Sequence, residues 1–358
     1  MQLDSFRTLG RSGLKVSPLC LGGMTLGDDW NWGANETIAA QLIQQYIDLG
    51  GNFIDTANIY TNGHSEKIVG DTIGRFPSKR NRIVIGTKCS ANTLPGNPNA
   101  GGGSTHSILY NVHESLRRLQ TDYIDLLWIH QWDWTTPFEE TMRTLHNLVS
   151  SGKVRYIGVS YAPAWKIAQA QTTALLKDWT PFIGLQIEYS LLERSIEDEL
   201  VPMANELGLG ITPWSPLKGG ILSGKYQSGD QSGDSRMGGA YQLSEREIHV
   251  IEKVKAIAAV HHTTPAAVAL AWVLQKQSTT SIILGVRKPD QLKQNIAALE
   301  VNLSQQEMNE LDAISTPAPT FVTNYKEYSR SFIHGGIEIN GLKAAPLPAF
   351  QQMIPGKY

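Results

Sequence analysis

Eight short apolar runs, separated by segments whose apolar residues recur at helical spacing, leave this chain few folds to choose from. The runs are Pro18 to Leu21, Asn52 to Asp55, Ile83 to Lys88, Tyr123 to His130, Val154 to Ser160, Ile183 to Tyr189, Gly210 to Ser215 and Ser281 to Leu284. Helical patterns lie between them at 36–49, 66–75, 108–119, 138–149, 165–176 and 196–207. In the first of these, positions 38, 39, 42, 43, 46, 47 and 49 are apolar, a stripe that covers a neighbouring strand. Alternation of this kind, with one apolar face per helix, implies parallel pairing. Eight such units predict an α/β fold, the (β/α)8 or TIM barrel.

A single domain over 1–358 is the economical expectation. Phe6 to Val16 holds the turn signal Gly10-Arg11-Ser12-Gly13 between two extended runs, which predicts a hairpin plugging one end of a barrel spanning about 17–300. A C-terminal helix and tail occupy 304–358, Pro-rich beyond Thr316 and without clear periodicity. Two long loops are expected on the face that carries barrel chemistry. One follows the seventh strand, with a Gly, Ser and Asp-rich stretch from Gly224 to Gly239 before helical patterns at 244–259 and 265–275. The other, Asn92 to Ser104, is rich in Asn, Pro and Gly and is expected to form a flexible wall of the pocket.

Composition narrows the function. The chain is 41% hydrophobic and 18% charged, an ordinary globular balance, and its net charge of −2 argues against a nucleic-acid surface or polybasic membrane binding. Cys20 and Cys89 are the only cysteines and both lie in apolar runs, so buried structural thiols are expected, with no disulfide framework and no metal site. Met1 to Gly10 lacks the pattern of a signal peptide, and no run reaches the ~20 apolar residues of a membrane span. A cytoplasmic location is therefore expected. Oligomeric state leaves no clear trace in the sequence, and a monomer is the default.

Four polar residues stand at or just beyond strand ends: Asp55, Tyr60, Lys88 and His130. Singly each has an ordinary structural explanation, but together they suit carbonyl reduction. A tyrosine, with its ordinary pKa of about 10, becomes a better acid–base group near neutral pH if a cation stabilises its phenolate. Lys88 can supply that cation, Asp55 can hold the ammonium, and His130 can orient a substrate oxygen and stabilise its developing charge.

From Phe6-Arg7-Thr8-Leu9-Gly10-Arg11-Ser12-Gly13-Leu14-Lys15-Val16-Ser17 to about Asn295 the chain resembles the aldo-keto reductases, and it looks most like their aryl-alcohol dehydrogenase branch. The resemblance implies that Asp55, Tyr60, Lys88 and His130 form a catalytic tetrad with Tyr60 as general acid–base, and it implies an NADP(H) site. Gly23, Met24 and Thr25, together with Asp55, match the cofactor loop at the first strands. Ser160 and Gln186 fall where the family grips the nicotinamide carboxamide, and Trp214 where an aromatic ring stacks on it. Ser215, Leu217, Gly219, Gly220, Ser223 and Lys225 match the pyrophosphate loop. Gly285, Arg287, Lys288, Gln291 and Asn295 match the adenosine-phosphate segment, whose basic pair favours a 2′-phosphate.

Tyr161 stands where the family commonly has asparagine. With Trp30, Trp32, Trp132 and Trp134 it is a candidate for the substrate wall, and aromatic faces favour flat, apolar substrates. The expected activity is NADPH-dependent reduction of aldehydes, aromatic ones above all, with a small-molecule carbonyl as the partner. The rival is a nicotinamide-binding regulatory subunit similar to potassium-channel β subunits. Gly219 to Lys225 mimics a nucleotide-binding P-loop, but Tyr226 stands where a magnesium-ligating Ser or Thr is needed.

Overall fold

The computed structural model describes residues 1–225 and 242–350. Arg7–Thr8 (β1) and Lys15–Val16 (β2) pair antiparallel as the N-terminal hairpin. The barrel strands follow as Leu19–Gly22 (β3), Phe53–Asp55 (β4), Val84–Cys89 (β5), Ile124–Ile129 (β6), Val154–Ser160 (β7), Gly184–Glu188 (β8), Gly210–Trp214 (β9) and Ile282–Leu284 (β10). They form one parallel sheet in the order β10, β3, then β4 through β9. The ring closes through a parallel bridge between Ile211 and Thr279, beside which the Thr280 N–H donates to Ile211 O at 2.8 Å. All eight expected runs are strands of this (β/α)8 barrel.

Alternate residues along the strands enter two separate cores. Leu19, Leu21, Ile54, Ile85, Leu127, Ile129 and Ile157 belong to the outer core beneath the helices. Cys20, Phe53, Val84, Leu126, Trp128 and Ile283 belong to a smaller inner core, which the hairpin residues Leu9 and Val16 complete from below. The period-2 geometry of a strand thus commits Asp55, two residues beyond Phe53, and Lys88, four beyond Val84, to the barrel interior.

The surrounding helices follow local capping rules. Asn35 caps Glu36–Asp48 by accepting the Ile38 N–H at 3.0 Å, and Thr264 caps Pro265–Leu274, which starts on proline. The expected helix at 66–75 departs from regularity: His64–Val69 is α-helical and Gly70–Gly74 is a π-helical turn. Its backbone runs close to the end of the helix Thr105–Leu119: a Cβ at Gly74 would lie 1.8 Å from Leu119 O. Pro289–Ile296 is a helix that periodicity does not announce.

Between 305 and 343 the tail carries more regular structure than its lack of periodicity suggests. Gln305–Ser315 and Phe321–His334 are helices, and Glu338–Ile339 (β11) pairs with Leu342–Lys343 (β12). The Gly, Ser and Asp-rich stretch lies outside the described residues from 226 to its end, as does Tyr226.

Trp128 fills the barrel centre because three strand neighbours carry no side chain. A Cβ at Gly158 would lie 2.3 Å from the indole, and Cβ atoms at Gly184 and Gly86 would lie 3.0 and 3.1 Å from it. Gly158→Ala is expected to lose about 1–3 kcal/mol of stability by overpacking, read by urea unfolding. Adding Trp128→Phe should recover part of that loss. Full additivity of the two substitutions would contradict the steric cause.

Candidate active site

The chemistry of the barrel mouth begins with a buried ion pair. Asp55 ends β4, Lys88 lies near the end of β5, and both are 1% exposed. Lys88 Nζ donates to Asp55 Oδ2 and, at 2.9 Å, to Thr56 O. Asp55 Oδ1 accepts the Gln186 Nε2–H at 3.0 Å, so both carboxylate oxygens are engaged. The register sets Asp55 beside Gly86, where a Cβ would lie 3.2 Å from Asp55 Oδ1. Burial penalises the Lys88 charge, but the Asp55 carboxylate and Tyr60 outweigh that penalty and raise the ammonium above its ordinary range.

Tyr60 opens the short turn Tyr60–Gly63 that follows β4. Lys88 Nζ lies 4.6 Å from its ring centroid. His130, one residue beyond β6, meets the Tyr60 ring edge-on at 5.8 Å and 82°. Burial, with the Lys88 charge adding to it, lowers the His130 pKa from 6.5 to about 3. The imidazole is therefore neutral near pH 7, a hydrogen-bonding group without a charge. The structure brings the four expected residues together: Tyr60, His130 and Asp55 face a cleft, and Lys88 lies beneath them.

That cleft, about 1040 Å³, runs from the barrel mouth across the ends of β7 to β10. Every residue expected to hold cofactor lines it, from the loop at Gly23 through Ser160, Gln186 and Trp214 to the segment ending at Asn295. Gly219 and Gly220 adopt φ of 64° and 101°, left-handed values open to glycine, which bring the loop backbone to the cleft. Thr25 Oγ1 donates to Val286 O at 2.6 Å and ties the two ends of the groove together. Ser160 Oγ is buried without a hydrogen-bond partner and lines the cleft. An unsatisfied buried hydroxyl beside an amide, with glycine backbone and the Arg287–Lys288 pair further along, fits a nicotinamide dinucleotide in its donor set.

The aromatic candidates divide. Trp30 and Trp32 line the cleft, 5.8 Å apart, and Trp30 meets Tyr60 edge-on at 6.5 Å. Tyr161 also lines it, with φ of 44° and its ring tilted against Trp214 at 5.3 Å. Trp132 does not belong to the wall. Its backbone N–H donates to Tyr161 O at 3.3 Å, and its indole is buried in the outer core, to which Phe138 also belongs. Trp134 projects into solvent.

The Asn92 to Ser104 stretch also lies outside the cleft wall, contrary to expectation. It is tied down elsewhere: the Gly102 N–H donates to Ser90 O and the Gly103 N–H to Asp133 Oδ2, both at 2.8 Å. Cys20 and Cys89 are buried, and burial pushes the Cys89 thiol up to about 12. Sequence reasoning overlooked Thr264, Pro265 and Ala266, which bring a helix N-terminus to the cleft. Their signal was the Thr-Pro cap before an apolar run.

Comparison with known proteins agrees with this arrangement. The model of the aldo/keto reductase family matches residues 18–316. An aryl-alcohol dehydrogenase of Pestalotiopsis microspora is 39% identical over 306 residues, covering 84% of this chain and 79% of its own. A norsolorinic acid reductase of Aspergillus flavus is 37% identical over 311 residues, covering 84% and 78%. An NADP(+) aryl-alcohol dehydrogenase of Phanerodontia chrysosporium is 34% identical over 319 residues, covering 84% and 83%. With this barrel, this cleft and a match over most of its length, the chain belongs to the aldo/keto reductase family.

Proposed function

We propose that the protein is an NADPH-dependent reductase of aldehydes, aromatic ones above all, with Tyr60 as the general acid. The observation that carries this reading is the Lys88–Asp55 pair buried beneath a tyrosine at the mouth of a dinucleotide-sized cleft. When bound, the cofactor supplies the hydride that reduces the carbonyl carbon. Tyr60 gives its phenolic proton to the carbonyl oxygen, and the Lys88 ammonium stabilises the phenolate left behind. Asp55 keeps that ammonium in place, and neutral His130 donates a hydrogen bond to the same oxygen.

Ser160 and Gln186 are assigned to the carboxamide of the nicotinamide and Trp214 to its ring. The Gly219–Gly220 backbone is assigned to the pyrophosphate, and Arg287 with Lys288 to a 2′-phosphate. Trp30, Trp32 and Tyr161 supply flat apolar surface for the substrate ring. The enzymes named aryl-alcohol dehydrogenase among its relatives support an aromatic substrate.

Following NADPH consumption against a panel of aromatic and aliphatic aldehydes tests the activity. Tight NADPH binding without turnover on any carbonyl would favour a cofactor-sensing subunit instead. Tyr60→Phe is expected to lower kcat by about 10²–10⁴-fold with NADPH affinity kept. Lys88→Met paired with Asp55→Asn, which removes both buried charges together, should show a comparable loss of kcat while the chain still folds. Wild-type rates in either variant would remove the assigned proton donor.

Arg287→Ala with Lys288→Ala is expected to raise KM for NADPH at least about 10-fold and leave KM for NADH nearly unchanged, the scale of losing charge-assisted contacts to one phosphate. Equal effects on the two cofactors would refute the assignment.

His130 gives a pH prediction. The unfolded chain protonates this residue near 6.5, while the folded chain resists to about 3. Native stability should therefore fall as pH drops through that window, and fall less steeply in His130→Gln, as read by urea unfolding at several pH values.

A further inference from the structure

Trp128 is fully buried in the inner core, and three glycines fix which way its indole points. The benzene edge lies against β7 and β8, where Cβ atoms at Gly158 and Gly184 would be 2.3 and 3.0 Å from its carbons. The nitrogen edge lies against β5: the atom that a Cβ at Gly86 would meet first is Trp128 Nε1, at 3.1 Å. That same point is 3.2 Å from Asp55 Oδ1. Strand register explains the meeting. Gly86 is paired with Asp55 on β4, and Lys88, the next inward residue of β5, is paired with Trp128 on β6.

This is a costly choice for a space-filling residue. The Trp128 N–H is buried with no acceptor in full hydrogen-bonding geometry, whereas a buried indole N–H ordinarily finds one. A phenyl or aliphatic group would fill the space without burying a donor. Asp55 Oδ1 takes one proton, from Gln186 at 3.0 Å, and a carboxylate oxygen has room for a second. An N–H dipole turned toward that oxygen stabilises its charge even beyond contact, because the site is shielded from water. Burial raises the Asp55 pKa, and the Lys88 ammonium, the Gln186 amide and the Trp128 N–H act against it.

We propose that Trp128 is a positioning residue of the reduction: its indole N–H holds the Asp55 carboxylate ionised and in place, and so keeps the Lys88 ammonium set against Tyr60. The inference rests on the reductase reading above. Trp128 does not line the cleft, so it acts only through Asp55 and Lys88 and touches neither substrate nor cofactor.

Replacing the indole by benzothiophene at this one site, through the analogue amino acid, keeps the ring size and removes the N–H. In that protein kcat for aldehyde reduction is expected to fall about 10-fold, the scale of one hydrogen bond to a charged group, with KM for the aldehyde and NADPH affinity unchanged. A tryptophan that only fills space would leave kcat at the wild-type value. Trp128→Phe should lose both kcat and melting temperature, whereas the isostere should keep a melting temperature near wild type, which separates the donor from the packing.

A second readout needs no turnover. In proton–nitrogen correlation spectra the Trp128 indole resonance, identified by its loss in Trp128→Phe, should move upfield in Asp55→Asn with Lys88→Met, which leaves no carboxylate beside it. The Trp272 indole, which donates to Asp312 Oδ1 at 3.0 Å, should stay in place. An isostere with wild-type kcat, or a Trp128 resonance indifferent to the loss of the carboxylate, overturns this inference and leaves the reductase standing. A wild type that reduces no carbonyl overturns both.

Discussion

The Lys88–Asp55 ion pair is the constraint around which the rest of the site is arranged. Two charges removed from water cost several kcal/mol each unless their remaining hydrogen-bonding capacity is met, and here nearly all of it is. Thr56 O and Asp55 take protons from Lys88, and Gln186 reaches from the far side of the barrel to the second carboxylate oxygen. The side chain of Gln186 therefore serves two ends, holding the ion pair on one side and lining the cleft on the other. Asp55 in turn requires Gly86 beside it, because any Cβ there would crowd both its carboxylate and Trp128. The floor beneath the charges is apolar and filled by Trp128, Phe53 and the hairpin residues Leu9 and Val16, which keeps water from the pair from below.

Above that fixed floor, the cleft is assembled from parts far apart in the chain. The loop after β3, the end of β7, the glycine turn after β9 and the segment after β10 meet only because a closed parallel barrel brings all strand ends to one face. Each strand contributes one or two polar groups, and strand register decides their depth. Ser160 is paired with Gln186 across β7 and β8, which sets the unsatisfied hydroxyl and the amide side by side. Trp214 is paired with Glu188 one layer higher, at the cleft rim. The result is a scaffold of strand ends below and connecting loops above, so the polar groups are held by the sheet while the loops shape the cleft above them.

Much of this was legible in the chain. Asp55, Lys88 and His130 each close an apolar run, so the same pattern that revealed the strands also located the polar groups. The cofactor segments were legible through their resemblance to a family, not through periodicity. Where the reading failed, a turn intervened. Trp132 lies two residues past His130, yet the chain bends after β6 and sends its indole into the outer core. Asn92 to Ser104 reads as a mobile wall from composition, but hydrogen bonds to Ser90 and Asp133 hold it against another part of the surface. Phe321 to Phe332 has helical spacing, but a Pro-rich approach and outward aromatics hid it from a search for core-facing stripes.

What the sequence determined by itself is the set of elements and their chemistry: eight strands, the helices between them, and a polar residue at the mouth of several. Local forces suffice for that, because side-chain period, caps and strand propensity act over a few residues. Only the tertiary structure decided which of these groups meet. Lys88 is paired and raised, and His130 is held neutral, because barrel closure removes both from water and sets one beside the other. Burial and register are properties of the whole sheet, and no stretch of a few residues carries them.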